Sequence, residues 1–228
     1  MSHKMRKASI YPYNLLKEEI FPLFGPEINE LPVYIDISID NENVERICSS
    51  QTQKEFNDYM ISEMQKHNCH TAVSGYLEDR TTLLKKYPQM VSENRVYHLG
   101  VDVTGPLGTD IYAPINGEVV KSYYEEGEGN YGGMIVLKHD INKCVFYSLY
   151  GHLNRTILPA VGTIIKKGEK FAKIGDFHEN GNWFHHVHLQ VFTELGYSNG
   201  WINKGYCSGK DLVHIDKFVP NPGFLLRL

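Results

Sequence analysis

From about residue 96 onward the chain is a run of short apolar segments separated by tight-turn signals, and this spacing limits the fold more than any other feature. Strand candidates fall at 117–124, 133–139, 145–150, 163–165, 171–174 and 186–192. Between them stand Glu128-Gly129-Asn130, Asp140-Ile141-Asn142, Lys167-Gly168 and Asn180-Gly181-Asn182, which are turn-forming sequences. Segments this close leave no room for the crossover helices of a parallel sheet, so the strands are expected to pair antiparallel. The expected fold class is mainly β: an antiparallel β-sandwich or partly open barrel, with an α/β N-terminal extension. Domain boundaries follow the change of texture, with an extension over 1–95 and the main domain, including a C-terminal tail, over 96–228.

In the first region Val33, Ile35, Ile37 and Ile39 alternate with Tyr34, Asp36, Ser38 and Asp40, the period of a half-buried strand. Thr52 with Glu55 three residues later reads as a capping box. It opens a helix with Phe56, Tyr59, Met60 and Met64 on one face, ending near His67 and Asn68. Lys4, Arg6 and Lys7 are not followed by the apolar stretch of a signal peptide, so a cytoplasmic location is expected, or an extracytoplasmic one if a leader was removed. Lys+Arg of 23 against Asp+Glu of 27 leaves a net charge of −4, and no basic block argues for a nucleic-acid partner. No apolar run reaches the length of a membrane span. Cys48, Cys69, Cys144 and Cys207 contain no CxxC pair, which argues against a cysteine zinc site and a disulfide framework.

Histidines carry the chemistry. Three groups stand out: His98-Leu-Gly-Val-Asp102, Gly151-His152-Leu153 and His185-His186-Val187-His188. On a strand His186 and His188 project from one face, while Val187, Leu189 and Val191 turn to the core. Two imidazoles side by side on an exposed strand face have no packing purpose and suit a metal or proton-transfer site. His98 and Asp102 would lie roughly 13 Å apart on a straight strand, so they share an ion only if the chain bends. Gly100 is where a turn or bulge is least strained. Two imidazoles and a carboxylate leave one zinc position open, the pattern of a catalytic rather than a structural site.

The order His98-x-Gly100-x-Asp102, then Thr109-Asp110-Ile111-Tyr112-Ala113-Pro114-Ile115-Asn116-Gly117-Glu118-Val119-Val120, then Tyr150-Gly151-His152-Leu153, then His186-Val187-His188-Leu189-Gln190 resembles the lysostaphin/LytM-type zinc endopeptidases. Val161-Gly162 through Lys167-Gly168-Glu169-Lys170 to Ile174-Gly175 matches the linker between the last two motifs. The resemblance covers about residues 96 to 195. It implies one zinc per chain and hydrolysis of a peptide bond in peptidoglycan or in Gly- or D-amino-acid-containing peptides. It also implies that His98, Asp102 and His188 are the zinc ligands and that His152 and His186 flank the metal-bound water as catalytic residues. The loop 176–183, with Val219-Pro220-Asn221-Pro222 and Leu225-Leu226, is similar to a subgroup without a secretion signal.

Zinc lowers the pKa of bound water toward about 7 and polarises the scissile carbonyl. No HExxH glutamate is present, so the proton acceptor and donor roles fall to two unligated histidines, and which of them is the base stays open. A non-catalytic zinc-binding module is the alternative. A biotinyl or lipoyl carrier is disfavoured, because the β region has no Met-Lys pair at a hairpin tip. Elsewhere, His67-Asn68-Cys69-His70 reads as a surface cluster and His139-Asp140 as a solvated hairpin tip. His214 reads as a half-buried strand residue. His178 and His185 are candidates to line a substrate groove, and Glu78-Asp79-Arg80 reads as a charged loop, with contact to the catalytic domain as its alternative role. Metal analysis of the purified protein should return about one zinc per chain; none, or two tightly held ions, would contradict the ligand set.

Overall fold

A computed structural model describes residues 20–28, 31–50, 52–141 and 143–226. Among the described residues twelve strands follow one another: β1 Val33–Tyr34, β2 Ala72–Ser74, β3 Arg95–His98, β4 Val101–Thr104, β5 Asp110–Tyr112 and β6 Gly117–Glu125, then β7 Gly132–Ile141, β8 Cys144–Leu153, β9 Ile164–Ile165, β10 Lys170–Lys173, β11 His186–Thr193 and β12 Tyr206–Ser208. Four helices accompany them: α1 Glu42–Ser50, α2 Gln53–Lys66, α3 Pro88–Ser92 and α4 Glu194–Ser198. Eight strands make one open sheet in the order β1-β2-β4-β11-β8-β7-β6-β9, and β10-β5 and β12-β3 form two small ribbons. Only β1–β2 is parallel; every other pairing is antiparallel, as the short connections require. The mainly β expectation holds, with an open sheet rather than a closed barrel.

The sheet centre is apolar because β7, β8 and β11 are buried on both faces. Val136, Leu137, Leu149, Val187, Leu189 and Val191 are all inaccessible to solvent and share one core with Ile111 and Ala172 from the β5/β10 ribbon and with Ile174 just after it. His139 belongs here too, which corrects its reading as a solvated hairpin tip. It is fully buried, because β7 and β8 continue two residues beyond it, and its nitrogens meet the Asn116 carbonyl and the Ser148 hydroxyl at 2.7 Å each. Asp140 alone is exposed.

The strand expected over 33–39 is shorter than its alternation suggests. Only Val33 and Tyr34 pair with β2, though Ile35 still donates its N–H to the Val73 carbonyl and Ile37 is fully buried. Beyond that point Asp36, Ser38 and Asn41 hydrogen-bond locally and turn the chain into α1. Helix α2 begins as read: the Thr52 hydroxyl oxygen accepts from the Glu55 N–H at 3.2 Å, and the hydroxyl donates to the Glu55 carboxylate at 2.7 Å. His67 caps its other end.

Phe56, Met60 and Met64 of α2 enter a second apolar cluster with Ile35, Leu84, Trp183 and Phe184. The Phe56 and Phe184 rings stand 5.1 Å apart, and Asn57 Oδ1 accepts the His185 N–H at 2.9 Å. Region 20–95 thereby braces the chain just ahead of β11. His214 is exposed and caps short 3-10 turns, not a strand, because Asp211 and Ile215 start such turns on either side. Among the described residues no helix is long and apolar enough to cross a membrane.

Met60 is fully buried in this cluster. Met60→Ala should lower unfolding free energy by about 2–5 kcal/mol in urea titration; a variant as stable as the parent would show that α2 does not pack on the core.

Candidate metal centre

Gly100 separates β3 from β4, so His98 ends one strand while Asp102 sits inside the next. Strand β4 lies between β2 and β11, where Asp102 stands opposite Ser74 on one side and His188 on the other. His188 is also opposite Gly151 of β8, one residue before His152. Period-two alternation along β11 puts His186, His188 and Gln190 on the face toward Asp102, with Val187, Leu189 and Val191 in the core behind. That face is not exposed, which corrects the reading of β11: His186 and His188 are 2% and 3% accessible. Tyr131 lies over His188, and Phe184 stacks on His186 with ring centroids 4.1 Å apart.

The bend at Gly100 occurs, but its need for glycine has a different cause from turn geometry. A Cβ there would fall 2.5 Å from His188 Cε1 and 2.7 Å from the Leu189 carbonyl oxygen. The missing side chain makes room for the His188 ring. Gly151 does the same for Tyr131, whose Cδ1 would stand 2.7 Å from an added Cβ.

Three donor atoms converge. His98 Nε2 lies 2.9 Å from His188 Nδ1, and Asp102 Oδ1 lies 3.3 Å from the first and 3.1 Å from the second. Among the described residues this is the one group of three or more His, Cys, Asp or Glu side chains whose donor atoms cluster closely enough to hold a metal ion. Backbone and amide acceptors set the tautomers. His98 Nδ1–H donates to the Gly75 carbonyl at 3.1 Å, and His188 Nε2–H donates to Gln190 Oε1 at 2.9 Å. Gln190 is itself oriented by donating to the Lys204 carbonyl at 3.1 Å. The two remaining ring nitrogens therefore face each other and a carboxylate oxygen with their lone pairs. Such an arrangement repels itself unless a cation lies among the three atoms. Ligands about 2.0–2.1 Å from a tetrahedral zinc stand roughly 3.3 Å apart, and the donor set fits that ion. Acceptors on the outer nitrogens are the usual supports of metal-binding histidines.

His152 and His186 stand beside this group with ring centroids 4.5 Å apart. Their Nδ1–H groups donate to the Asn180 and Phe184 carbonyls at 2.7 Å each, which leaves both Nε2 atoms as acceptors. His186 Nε2 is 3.4 Å from Asp102 Oδ1. His152 has φ +63°, a left-handed conformation that costs a side-chain-bearing residue about 1–3 kcal/mol. Its N–H donates to the Tyr131 carbonyl at 2.7 Å, and its own carbonyl accepts from Gly175 at 3.0 Å, so both neighbours hold it there.

Burial pushes His98 down to about 3, with the Arg80 cation adding to the effect. Burial likewise pushes His186 down to about 4, against the pull of Asp102, and His152 well below the ordinary range, where His186 adds to it. These imidazoles are neutral at neutral pH, the form that ligates a metal or accepts a proton. Burial opposes ionisation of Asp102, yet the Arg80 cation on its Oδ2 helps to hold its carboxyl well below the usual range.

Two residues of the charged run 78–80, to which the sequence assigned no part in the metal site, complete the group. Arg80 is 1% accessible and its Nη1 donates to Asp102 Oδ2 at 2.5 Å; Glu78, also buried, accepts from the same guanidinium at 3.0 and 3.2 Å. Of the two readings of the run 78–80, the contact with the main domain is the one seen, because Arg80 turns inward to meet the Asp102 carboxylate. No local pattern announces that contact. The remaining candidates stay apart: His67 and His70 are exposed, and His178 is exposed near Asp176. His185 bonds Asp176 at 3.0 Å and stacks on Phe177, outside the donor cluster. The cluster opens into a cleft of about 160 Å³ walled by Tyr131, Trp183, Phe184, Lys204 and Tyr206.

Residues 96–200 match the family model described as Peptidase family M23. This segment, just under half of the chain, is similar to that family. It starts two residues before His98 and ends twelve after His188, so the matched segment contains every donor of the cluster. At family level M23 proteins are zinc metallopeptidases that act on peptidoglycan peptides. The chain is 33% identical over 94 residues to a lipoprotein NlpD/LppB homolog of Pseudomonas aeruginosa, covering 41% of this chain and 28% of that protein. It is 32% identical over 96 residues to an uncharacterized metalloprotease of Haemophilus influenzae, covering 37% of this chain and 19% of the other. The chain thus spans less than a third of these curated relatives. Among solved structures, the catalytic domain of lysostaphin from Staphylococcus simulans is 23% identical with a TM-score of 0.38, covering 52% of this chain and 80% of that one.

Linkage gives a pH dependence for the metal-free protein. His98 and His186 are depressed in the folded state from an ordinary 6.5, so the unfolded chain binds more protons between about 6.5 and 4. Stability is complete above about 6.5 and is lost as pH falls through that window. Thermal unfolding in the presence of a chelator should show a lower Tm at pH 5 than at pH 7.5; an equal or higher Tm at pH 5 would contradict the buried neutral histidines.

Proposed function

We propose that the chain is a zinc-dependent endopeptidase in which His98, Asp102 and His188 hold the ion and His152 and His186 are the catalytic residues. Its substrate is a peptidoglycan-type peptide containing glycine or D-amino acids. The peptidase unit is assigned to 96–228, with the preceding residues packed on it. The convergence of two imidazole lone pairs and one carboxylate oxygen within 3.3 Å, in a buried pocket open to a cleft, carries this reading.

A zinc ion so held supplies Lewis acidity toward the scissile carbonyl and lowers the pKa of water. The remaining chemistry belongs to the chain. His152 and His186 each present a neutral Nε2, so one accepts the proton released by water and that same proton is then given to the leaving amine, either directly or by way of the other imidazole. Their fixed Nδ1 bonds keep both rings from turning away. Burial makes either imidazolium costly, which favours prompt transfer of its proton to the amine. Tyr131, Trp183 and Tyr206 give the cleft aromatic walls suited to holding an extended peptide. The presence of both unligated histidines favours an enzyme over a non-catalytic zinc module.

Zinc-loaded protein should be incubated with purified peptidoglycan and with short glycine-rich peptides, and the products identified by mass spectrometry. His188→Ala should lose zinc in competition with a chelator. His186→Ala and His152→Ala should keep zinc while kcat falls on the order of 100-fold or more. Zinc loss in His186→Ala but not in His188→Ala would reverse the assignment; no cleavage of any of these substrates by the zinc-loaded parent would remove the enzyme reading.

A further inference from the structure

We propose that Arg80, anchored by Glu78, is a positioning residue that occupies one oxygen of Asp102, so that the carboxylate offers a bound ion a single oxygen. The proposal rests on the reading of Asp102 as a ligand. Asp102 Oδ2 is taken by Arg80 Nη1 at 2.5 Å, while Oδ1 faces His98, His186 and His188 at 3.1 to 3.4 Å. The guanidinium cannot swing off, because its Nε and Nη2 are forked onto Glu78 Oε2 at 3.2 and 3.0 Å. Glu78 Oε1 is fixed in turn by the Gly75 N–H and the Tyr34 hydroxyl, both at 2.8 Å. A planar fork bonded through all three of its nitrogens holds its direction.

Charge and coordination explain the arrangement. Glu78 offsets Arg80, so the negative charge of Asp102 stays available to a cation. Two imidazoles and one carboxylate oxygen leave a tetrahedral zinc one open position; a second carboxylate oxygen would compete for it. A buried ion pair seldom adds net stability, since desolvating two charges opposes their attraction, so a gain elsewhere is expected to justify this one. The same stretch also provides the Gly75 carbonyl that orients His98. Residues 75–80 thus hold two of the three donors from outside, and they lie ahead of the segment 96–200 that matches family M23.

Cobalt substitution reads coordination directly, because four-coordinate Co²⁺ absorbs several-fold more strongly in the visible than five-coordinate Co²⁺. The parent should give the strong four-coordinate bands. Arg80→Met combined with Glu78→Gln removes both buried charges together and frees Oδ2, and the visible absorption should fall several-fold. Arg80→Lys, which keeps a cation and a donor beside Oδ2, should retain the parent bands. A folded double variant with the parent spectrum would overturn the proposal. A crystal structure of the zinc-loaded parent tests the same point without any variant: Arg80 on Oδ2 supports it, and Oδ2 within bonding distance of the ion overturns it. Failure of the parent to bind either zinc or cobalt is a separate outcome, which removes the metal reading and this proposal together.

Discussion

The buried carboxylate of Asp102 is the constraint around which the rest of the structure is arranged. A carboxylate taken out of water costs several kcal/mol unless its charge and lone pairs are met. Here it is 1% accessible and lies in the middle of a sheet, between β2 and β11. One oxygen meets a guanidinium, and the other faces three imidazole nitrogens across the gap a cation would fill. The neighbours arrive from three places: Arg80 after β2, His98 at the end of β3, and His186 and His188 on β11. The sheet order β2-β4-β11-β8 is what lets these elements reach one point.

Such a cluster stores unfavourable energy, and the surrounding core offsets it. His152 is held with positive φ, two ring nitrogens oppose their lone pairs, and an ion pair is buried beneath. Around them lie Val101, Leu149, Tyr150, Val187 and Leu189, all inaccessible, so the strands cannot relax apart. A site of this kind is pre-organised. Its donors are already in place, and an incoming cation relieves repulsion instead of having to gather ligands.

Much of the β region was legible because its determinants are local. Turn glycines and period-two alternation located six of the seven strands described from 117 onward to within three residues at each end, missing β12, and the Thr52–Glu55 box located α2. His186 and His188 were placed on one face by the same alternation, which equally places Gln190 there. What misled were residues whose environment depends on distant chain. His139 near a turn was taken as solvated, yet the hairpin extends past it and the Asn116 carbonyl and Ser148 close around it. His214 between two valine-like neighbours suggested a strand, but no strand among the described residues runs alongside to pair with it.

The sequence by itself determined the antiparallel character of the main domain, the helix α2, the residue types of a three-donor metal site and their order along the chain. These rest on spacing, turn chemistry and ligand chemistry, which act over a few residues. Only the tertiary structure decided that β11 is buried rather than exposed, that Gly100 serves the His188 ring rather than a turn, and that Arg80 joins the site from the preceding region. Those features depend on contacts between segments 22 to 90 residues apart, such as Arg80 with Asp102 and His98 with His188. No local pattern encodes which distant side chain will fill the space beside a buried carboxylate, because that choice is made by the pairing of whole strands.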